Sequence, residues 1–383
     1  MPLPRTPLDL QALSDAARKA LSGPPPLKLM AARGLAPLPK PADVVSVLYQ
    51  LSLETDAPLR TTAEKTAREL PDRILGTALA DPQLDPRVLD FFAELVVSRP
   101  SVLEALILNH AAADETIVTL AQQLGERELD LIAQNEQRIL RAPGIIGALY
   151  MNKNTRMSTV DRVVELAVRH KIAVPGIPAW DEVVAAVLGT AKPTVGQQAA
   201  APASKDAEEI DALFAAAVQV GSGEPEDRVA DSSFAEEEKQ ETAEQAKKKV
   251  PIDRLSIPAK IRLATVGNAF ARSILIRDSN KQVALATIRS PAMTDNEVIK
   301  FSAFRSLSDE VIRVIANSKD WTKNYQVKLN LVNNPKTPLS TAFKFLPFLQ
   351  VRDLRSVARS KGIPQALANQ AKKLVTAKMS GGD

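Results

Sequence analysis

Prolines punctuate this sequence at the starts of short apolar runs. Pro41, Pro86, Pro100, Pro143, Pro178, Pro258, Pro338 and Pro364 each stand where a run of helical periodicity begins. There the missing N–H breaks no hydrogen bond and the fixed φ suits a first turn. Capping residues accompany them. Asp85 precedes Pro86, Thr337 precedes Pro338, Asp114, Ser158 and Ser308 stand at the heads of further runs, and Thr294-Asp-Asn-Glu297 spells a capping box. A chain interrupted this often is restricted to short helices. Periodicity places them, in the first half, near 41–54, 58–69, 72–79, 86–97, 100–108, 115–124, 126–134, 143–150, 158–170 and 178–188. Alternating stretches are few, no Asn-Gly or Asp-Gly pair occurs, and Val, Ile, Thr and aromatic residues rarely cluster. The expected class is all-α.

The punctuation repeats. An apolar stretch closes in Asn, Asp, Ser or Arg, often beside Pro, and a new helix begins a few polar residues later. Copies include Leu79-Ala-Asp-Pro, Leu106-Ile-Leu-Asn109-His, Leu131-Ile-Ala-Gln-Asn135, Thr287-Ile-Arg-Ser290-Pro, Val314-Ile-Ala-Asn317, Leu331-Val-Asn-Asn334-Pro and Val357-Ala-Arg-Ser360. Neighbouring copies lie about a helix pair apart: Asn109 to Asn135 is 26 residues, Ser290 to Asn317 is 27, and Asn334 to Ser360 is 26. That period predicts an α-solenoid, in which each unit buries its apolar face by stacking on its neighbours. The stretch from Pro41 to Ala67, with Asp56 closing one helix and Leu59-Arg60, Ala63 and Ala67 in the next, resembles a HEAT repeat. The shorter Asn/Asp-Pro units resemble the leucine-rich repeat variant, a bacterial α-solenoid. Together the resemblance covers about 41–188 and 258–375, and it implies binding surfaces rather than chemistry.

Charge divides the chain further. The 383 residues carry a net +4, but 1–191 hold 20 basic and 23 acidic residues, 192–250 hold 7 and 13, and 251–383 hold 22 and 9. The near-neutral total hides a basic C-terminal body behind an acidic stretch. Residues 192–250 are rich in Ala, Pro, Gln and Glu and bury too little apolar surface to offset the entropy of ordering. The expected organisation is an N-terminal helix and Pro-rich tether (1–28), a helical-repeat domain (29–191), an acidic disordered linker (192–250) and a basic helical-repeat domain (251–383). The fold expected is thus an α-solenoid of HEAT-like helical repeats in two bodies joined by a disordered linker. One island in the linker, 208–220, sets Ile210, Leu213, Phe214, Ala217 and Val218 on one helical face. It is either a transient helix or a motif that docks its apolar face in a groove.

Several chemistries are excluded or lack a signal. Without Cys there is no disulfide, thiolate metal site or cysteine nucleophile. His110 and His170 are isolated, and no glycine-rich phosphate loop occurs. No catalytic, cofactor-binding or metal-ligating set emerges. The start of the chain lacks a secretory pattern and no apolar run is long enough to span a bilayer, so a cytoplasmic location is expected.

Two polar regions are candidate partner-binding surfaces. Asn152, Lys153 and Arg156 precede a helix start and could receive an anion, or could form an ordinary turn. In the C-terminal body, Arg277, Lys281, Arg289, Arg305 and Arg313 lead into Trp321, Lys323, Tyr325 and Lys328, where cations and aromatics interleave. These residues suit phosphates, an acidic protein, or simply a solvated surface with the aromatics in the core. The function expected is a non-enzymatic protein–protein interaction scaffold whose basic body takes an anionic partner. The alternative is nucleic-acid binding through 251–383. The oligomeric state is left open.

Overall fold

The computed structural model describes residues 3–189, 207–219, 250–360 and 362–380. Every regular element among them is helical, as the punctuation requires. The remainder of the expected linker, 192–206 and 220–249, lies outside the described residues, as do 190 and 191. Contacts divide the chain into two compact units, Met1–Gly176 and Ile177–Asp383.

In the first unit, helices run α1 (Asp15–Ser22), α2 (Pro25–Ala32), α3 (Pro41–Leu51), α4 (Ala57–Glu69), α5 (Asp72–Leu79), α6 (Pro86–Val96), α7 (Pro100–Leu108), α8 (Asp114–Ala121), α9 (Glu126–Gln134), α10 (Glu136–Arg141), α11 (Gly144–Met151) and α12 (Met157–Arg169). They pack in two rows. One contains α1, α3, α5, α7 and α9, each on the next, and the other contains α2, α4, α6, α8 and α11. The inward faces are aliphatic: Leu48, Leu51, Leu75, Leu79, Leu103 and Leu106 are fully buried. In α11, Gly147 admits the Pro175 carbonyl, which would lie 2.5 Å from any Cβ at that position.

In the second unit follow α13 (Trp180–Val187), α14 (Ala207–Gln219), α15 (Val250–Asp253), α16 (Ile257–Val266), α17 (Ala269–Leu275), α18 (Lys281–Ile288), α19 (Asp295–Ala303), α20 (Asp309–Asn317), α21 (Tyr325–Asn333), α22 (Leu339–Phe345), α23 (Val351–Arg359) and α24 (Gln365–Ser380). Alternate helices again pack together: α16 on α18, α18 on α20, α19 on α21 and α21 on α23. Helix α13, expected to close the N-terminal body, packs instead on α16. The contact boundary therefore falls at Gly176, ahead of the expected 191.

Local signals placed many helix starts correctly. Pro41, Pro86 and Pro100 are first-turn residues, and Asp85, Ser308 and the Thr294–Glu297 box cap as expected. Several expectations fail at the level of one or two residues. Asp114 and Ser158 lie inside their helices, whose N-caps are Ala113 and Arg156. Pro143 and Pro338 are themselves N-caps rather than first-turn residues, which leaves Thr337 one place early; Pro364 immediately precedes α24, and Pro178 stands ahead of Ala179, the N-cap of α13. The N-terminal tether is a larger correction. Pro25 and Pro26 open α2, and Leu8, Ala17, Leu21 and Ala31 are buried. The segment is tied to the body by Leu3 N–H donating to Asp90, Leu8 N–H to Gln50, and the Tyr49 hydroxyl to the Thr6 carbonyl. A proline run sets φ for a first helical turn as readily as for an extended tether, and tertiary contacts chose the helix here.

A recurring clamp joins one helix pair to the next. A helix leaves its last four carbonyls without internal partners. Asn109 Nδ2 donates to the Leu79 and Asp81 carbonyls at the end of α5, at 2.7 and 2.9 Å. Asn152 does the same to Ala121 and Leu124 at the end of α8, at 2.9 and 3.2 Å. Asn334 does so to Ser302 and Phe304 at the end of α19, at 3.1 and 3.0 Å. In all three the Oδ1 accepts the backbone N–H two residues on, fixing the turn in which the Asn sits. The reach is 28 to 32 residues, a full helix pair.

Asn135, counted among the repeat marks, is not such a clamp. It caps α10, and Arg138 holds the preceding turn instead, donating to the carbonyls of Ile107, Asn109 and Ala112. Burial lowers the Arg138 pKa, and the carboxylate of Asp114 at 3.5 Å opposes that shift.

The clamp predicts a specific mutational pattern. Replacing Asn334 by Ala removes the side-chain donor from two inward carbonyls, and replacing Asn152 removes it from that of Ala121 while Asn154 still reaches Leu124; each is expected to cost about 1–3 kcal/mol, Asn152 the less. Asn→Asp at the same positions keeps the turn acceptor but aims an anion at carbonyl oxygens, and is expected to be worse than Ala. Lys153→Ala, at an exposed position of the same turn, is expected to stay within about 0.5 kcal/mol. Urea unfolding of the full chain followed by circular dichroism measures all of these.

Candidate functional site

The turn after α11 is built from the clamp. Asn152 is 7% exposed and engaged with the preceding helix pair, and Arg156 pairs with Glu126 and, at 3.4 Å, with Asp130. A receiving site for an anion is not formed by these two side chains, whose donors already have protein acceptors. Lys153 is left exposed beside them.

The residues singled out in the C-terminal body separate into distinct local roles. Arg277 stacks on the Phe304 ring at 4.4 Å. Lys281 bonds Glu310 at 2.8 Å, and that shared hydrogen bond raises the lysine pKa and lowers the glutamate's. Arg289 pairs with Glu182, and Lys323 with Asp320 at 2.7 Å. Trp321 packs on the core formed by α18 to α21. Lys328 lies over the Phe348 ring at 5.0 Å. Arg305 and Arg313 are exposed, and Arg305 leans on the backbone of Gly362. These side chains do not converge on one pocket.

Tyr325 has a positioning role. Its hydroxyl donates to Asp353 and accepts the Gln350 N–H at 3.0 Å, which fastens the start of α23 to α21. Burial, followed by donation to that carboxylate, raises the phenol pKa.

Carboxylates are scarce in this body, and structural pairs engage most of them. Asp278 holds Lys260 at 3.0 Å. Glu297 holds Arg272 at 2.8 Å in a buried pair, while also accepting from the Thr294 backbone in the capping box. With Glu310, Asp320 and Asp353, five of the nine acidic residues of 251–383 are committed in this way. The basic excess is therefore left on other faces.

One such face is α23. Leu354 and Val357 are fully buried against Val332, Leu346, Leu367 and Ala371. Arg352, Arg355 and Arg359, at i, i+3 and i+7, occupy the opposite, exposed side. With Asn333, Val351, Ser356 and Ser360 they line an open cleft of about 820 Å³. Among the described residues none of the three guanidinium groups pairs with a carboxylate, and the helix's own Asp353 faces Tyr325. These arginines were absent from the candidates read in the sequence. Their spacing beside Leu354 and Val357 was a legible signal. Among the described residues no cluster of His, Asp or Glu is arranged to hold a metal, and no helix is long and apolar enough to cross a membrane.

The amphipathic island is docked within the chain's own second unit. Helix α14 packs on α15 and α16, with Phe214 and Ala217 buried. The guanidinium of Arg262, itself inaccessible to solvent, lies 4.5 Å from the Phe214 ring centroid. Such a cation–π contact adds to the apolar burial.

Comparison with protein-family models, with curated proteins and with solved structures finds no match for this chain.

Phe214 is expected to control the docking of α14. A helix of 13 residues is marginal by itself in water, and removing a buried Phe side chain costs about 3–5 kcal/mol. Phe214→Ala is expected to abolish amide protection across 207–219 in hydrogen exchange while α18 to α21 keep theirs. Glu209→Ala, on the exposed face, is expected to leave protection unchanged.

Proposed function

We propose that this protein is a non-catalytic, cytoplasmic interaction scaffold built from α-solenoid repeats, whose basic C-terminal body binds an anionic protein partner. The repeated side-chain clamp supports the repeat reading, because the same Asn geometry recurs at equivalent turns in both units. The observation that carries the choice of partner is the arginine face of α23, which pairs with no carboxylate among the described residues, in a body where most carboxylates already serve structural pairs. Exposed surplus charge of one sign steers association and selects partners of opposite sign. Two bodies on one chain also raise each other's effective concentration at a shared target.

Affinity capture with the full chain from lysate of the source cell tests this. The expected result is a specific set of acidic proteins that survives nuclease treatment and is released as salt rises from about 50 to 300 mM, where screening shortens to under 10 Å. Loss of all capture on nuclease treatment transfers the assignment to nucleic acid. Absence of any specific capture overturns the scaffold reading.

A further inference from the structure

We propose that the α23 cleft reads carboxylates and takes an acidic helical segment of a partner protein. The inference rests on the scaffold reading and names the chemistry of the segment bound. Arg352, Arg355 and Arg359 stand on one face of one helix, so their backbone positions span about 10 Å at a rise of 1.5 Å per residue. A helix carrying acidic residues at i, i+3 or i+4, and i+7 presents carboxylates over the same length, with the same one-turn spacing.

Three features favour this ligand. Each guanidinium offers a planar fork that matches a carboxylate in a two-point hydrogen bond. The supporting helix is rigidly seated: Leu354 and Val357 are fully buried, and Tyr325 fastens the α23 start through Gln350 and Asp353. The backbone that spaces the array is therefore preorganised, which lowers the entropy cost of binding. The cleft is open and about 820 Å³ in volume, room for several side chains rather than one small anion.

The lining also weighs against the alternative. Asn333, Ser356 and Ser360 add neutral hydrogen-bonding groups, and no aromatic side chain lines the cleft on which a base could stack. Arg355 Nη2 donates to Met379 Sδ at 3.0 Å, so α24 flanks the middle of the array while the arginine stays exposed.

Fluorescence anisotropy on the full chain tests the proposal. The probe is a labelled helical peptide of about 15 residues with glutamates at i, i+4 and i+7. The comparison peptide has the same composition, with the glutamates distributed around the helix. The expected result is at least about tenfold tighter binding of the aligned peptide, and a loss of at least about tenfold in R352Q/R355Q/R359Q. The Lys triple variant, R352K/R355K/R359K, keeps the charge without the fork and is expected to fall between wild type and the Gln variant. All three side chains are exposed, so the variants are expected to retain the wild-type unfolding midpoint, which circular dichroism checks.

Equal affinity for the two peptides, or undiminished binding by the Gln variant, overturns the proposal. So does displacement of the aligned peptide by duplex DNA or inorganic tripolyphosphate at lower concentration than by unlabelled peptide. Affinity capture separates this failure from that of the scaffold reading. If the Gln variant still retains the acidic partners, the cleft assignment fails and the scaffold stands. If wild type retains none, the scaffold itself fails.

Discussion

Carbonyl groups at the ends of short helices are the constraint that organises this protein. A chain divided into helices of about two to three turns has many termini, and each leaves acceptors that cannot be buried without a donor. The clamps supply that donor from the next helix pair, so satisfying a terminus and joining successive helix pairs are one event. Asn suits the task because a single short side chain can order its own turn through Oδ1 and reach back through Nδ2. Where Asn135 serves as a cap instead, Arg138 spans the same gap with a longer side chain and becomes buried as a result.

The same economy of polar groups shapes the surface of the basic body. Its carboxylates bridge neighbouring helices, as in Lys260–Asp278, Arg272–Glu297 and Lys281–Glu310. They thereby neutralise many of the cations that stood out in the sequence. Charge that remains unpaired among the described residues lies where their carboxylates do not reach, and the outer face of α23 is such a place. Tyr325 connects the two themes, since its hydroxyl removes Asp353 from the arginine side while fixing the helix that carries the arginines.

Helix class and most helix starts were legible because capping and proline effects act within four residues. The Thr294–Glu297 box and Asp85 before Pro86 needed no tertiary information. The misreadings have one physical origin. Pro24–Pro26 read equally as tether or first turn, and the burial of Ala31 and Leu21 decided it. Asn135 resembled Asn109 in its local sequence, and only the position of the preceding helix end distinguished cap from clamp. At the candidate site, charge alone selected Lys281, Arg289 and Lys323, whose neutralising partners are 29, 107 and 3 residues away. Arg352, Arg355 and Arg359 were equally visible, but that no carboxylate among the described residues pairs with them was not.

The sequence by itself determined that every regular element among the described residues is helical, that the helices are short, and that the basic excess lies in 251–383. Each follows from local backbone chemistry or from composition, which folding cannot alter. The tertiary structure decided which termini each Asn serves, that α14 docks on α16 beneath Phe214, and which cations are paired. Those outcomes depend on which groups meet across one or more helix pairs, and distances of that kind are set by packing rather than by neighbouring residues.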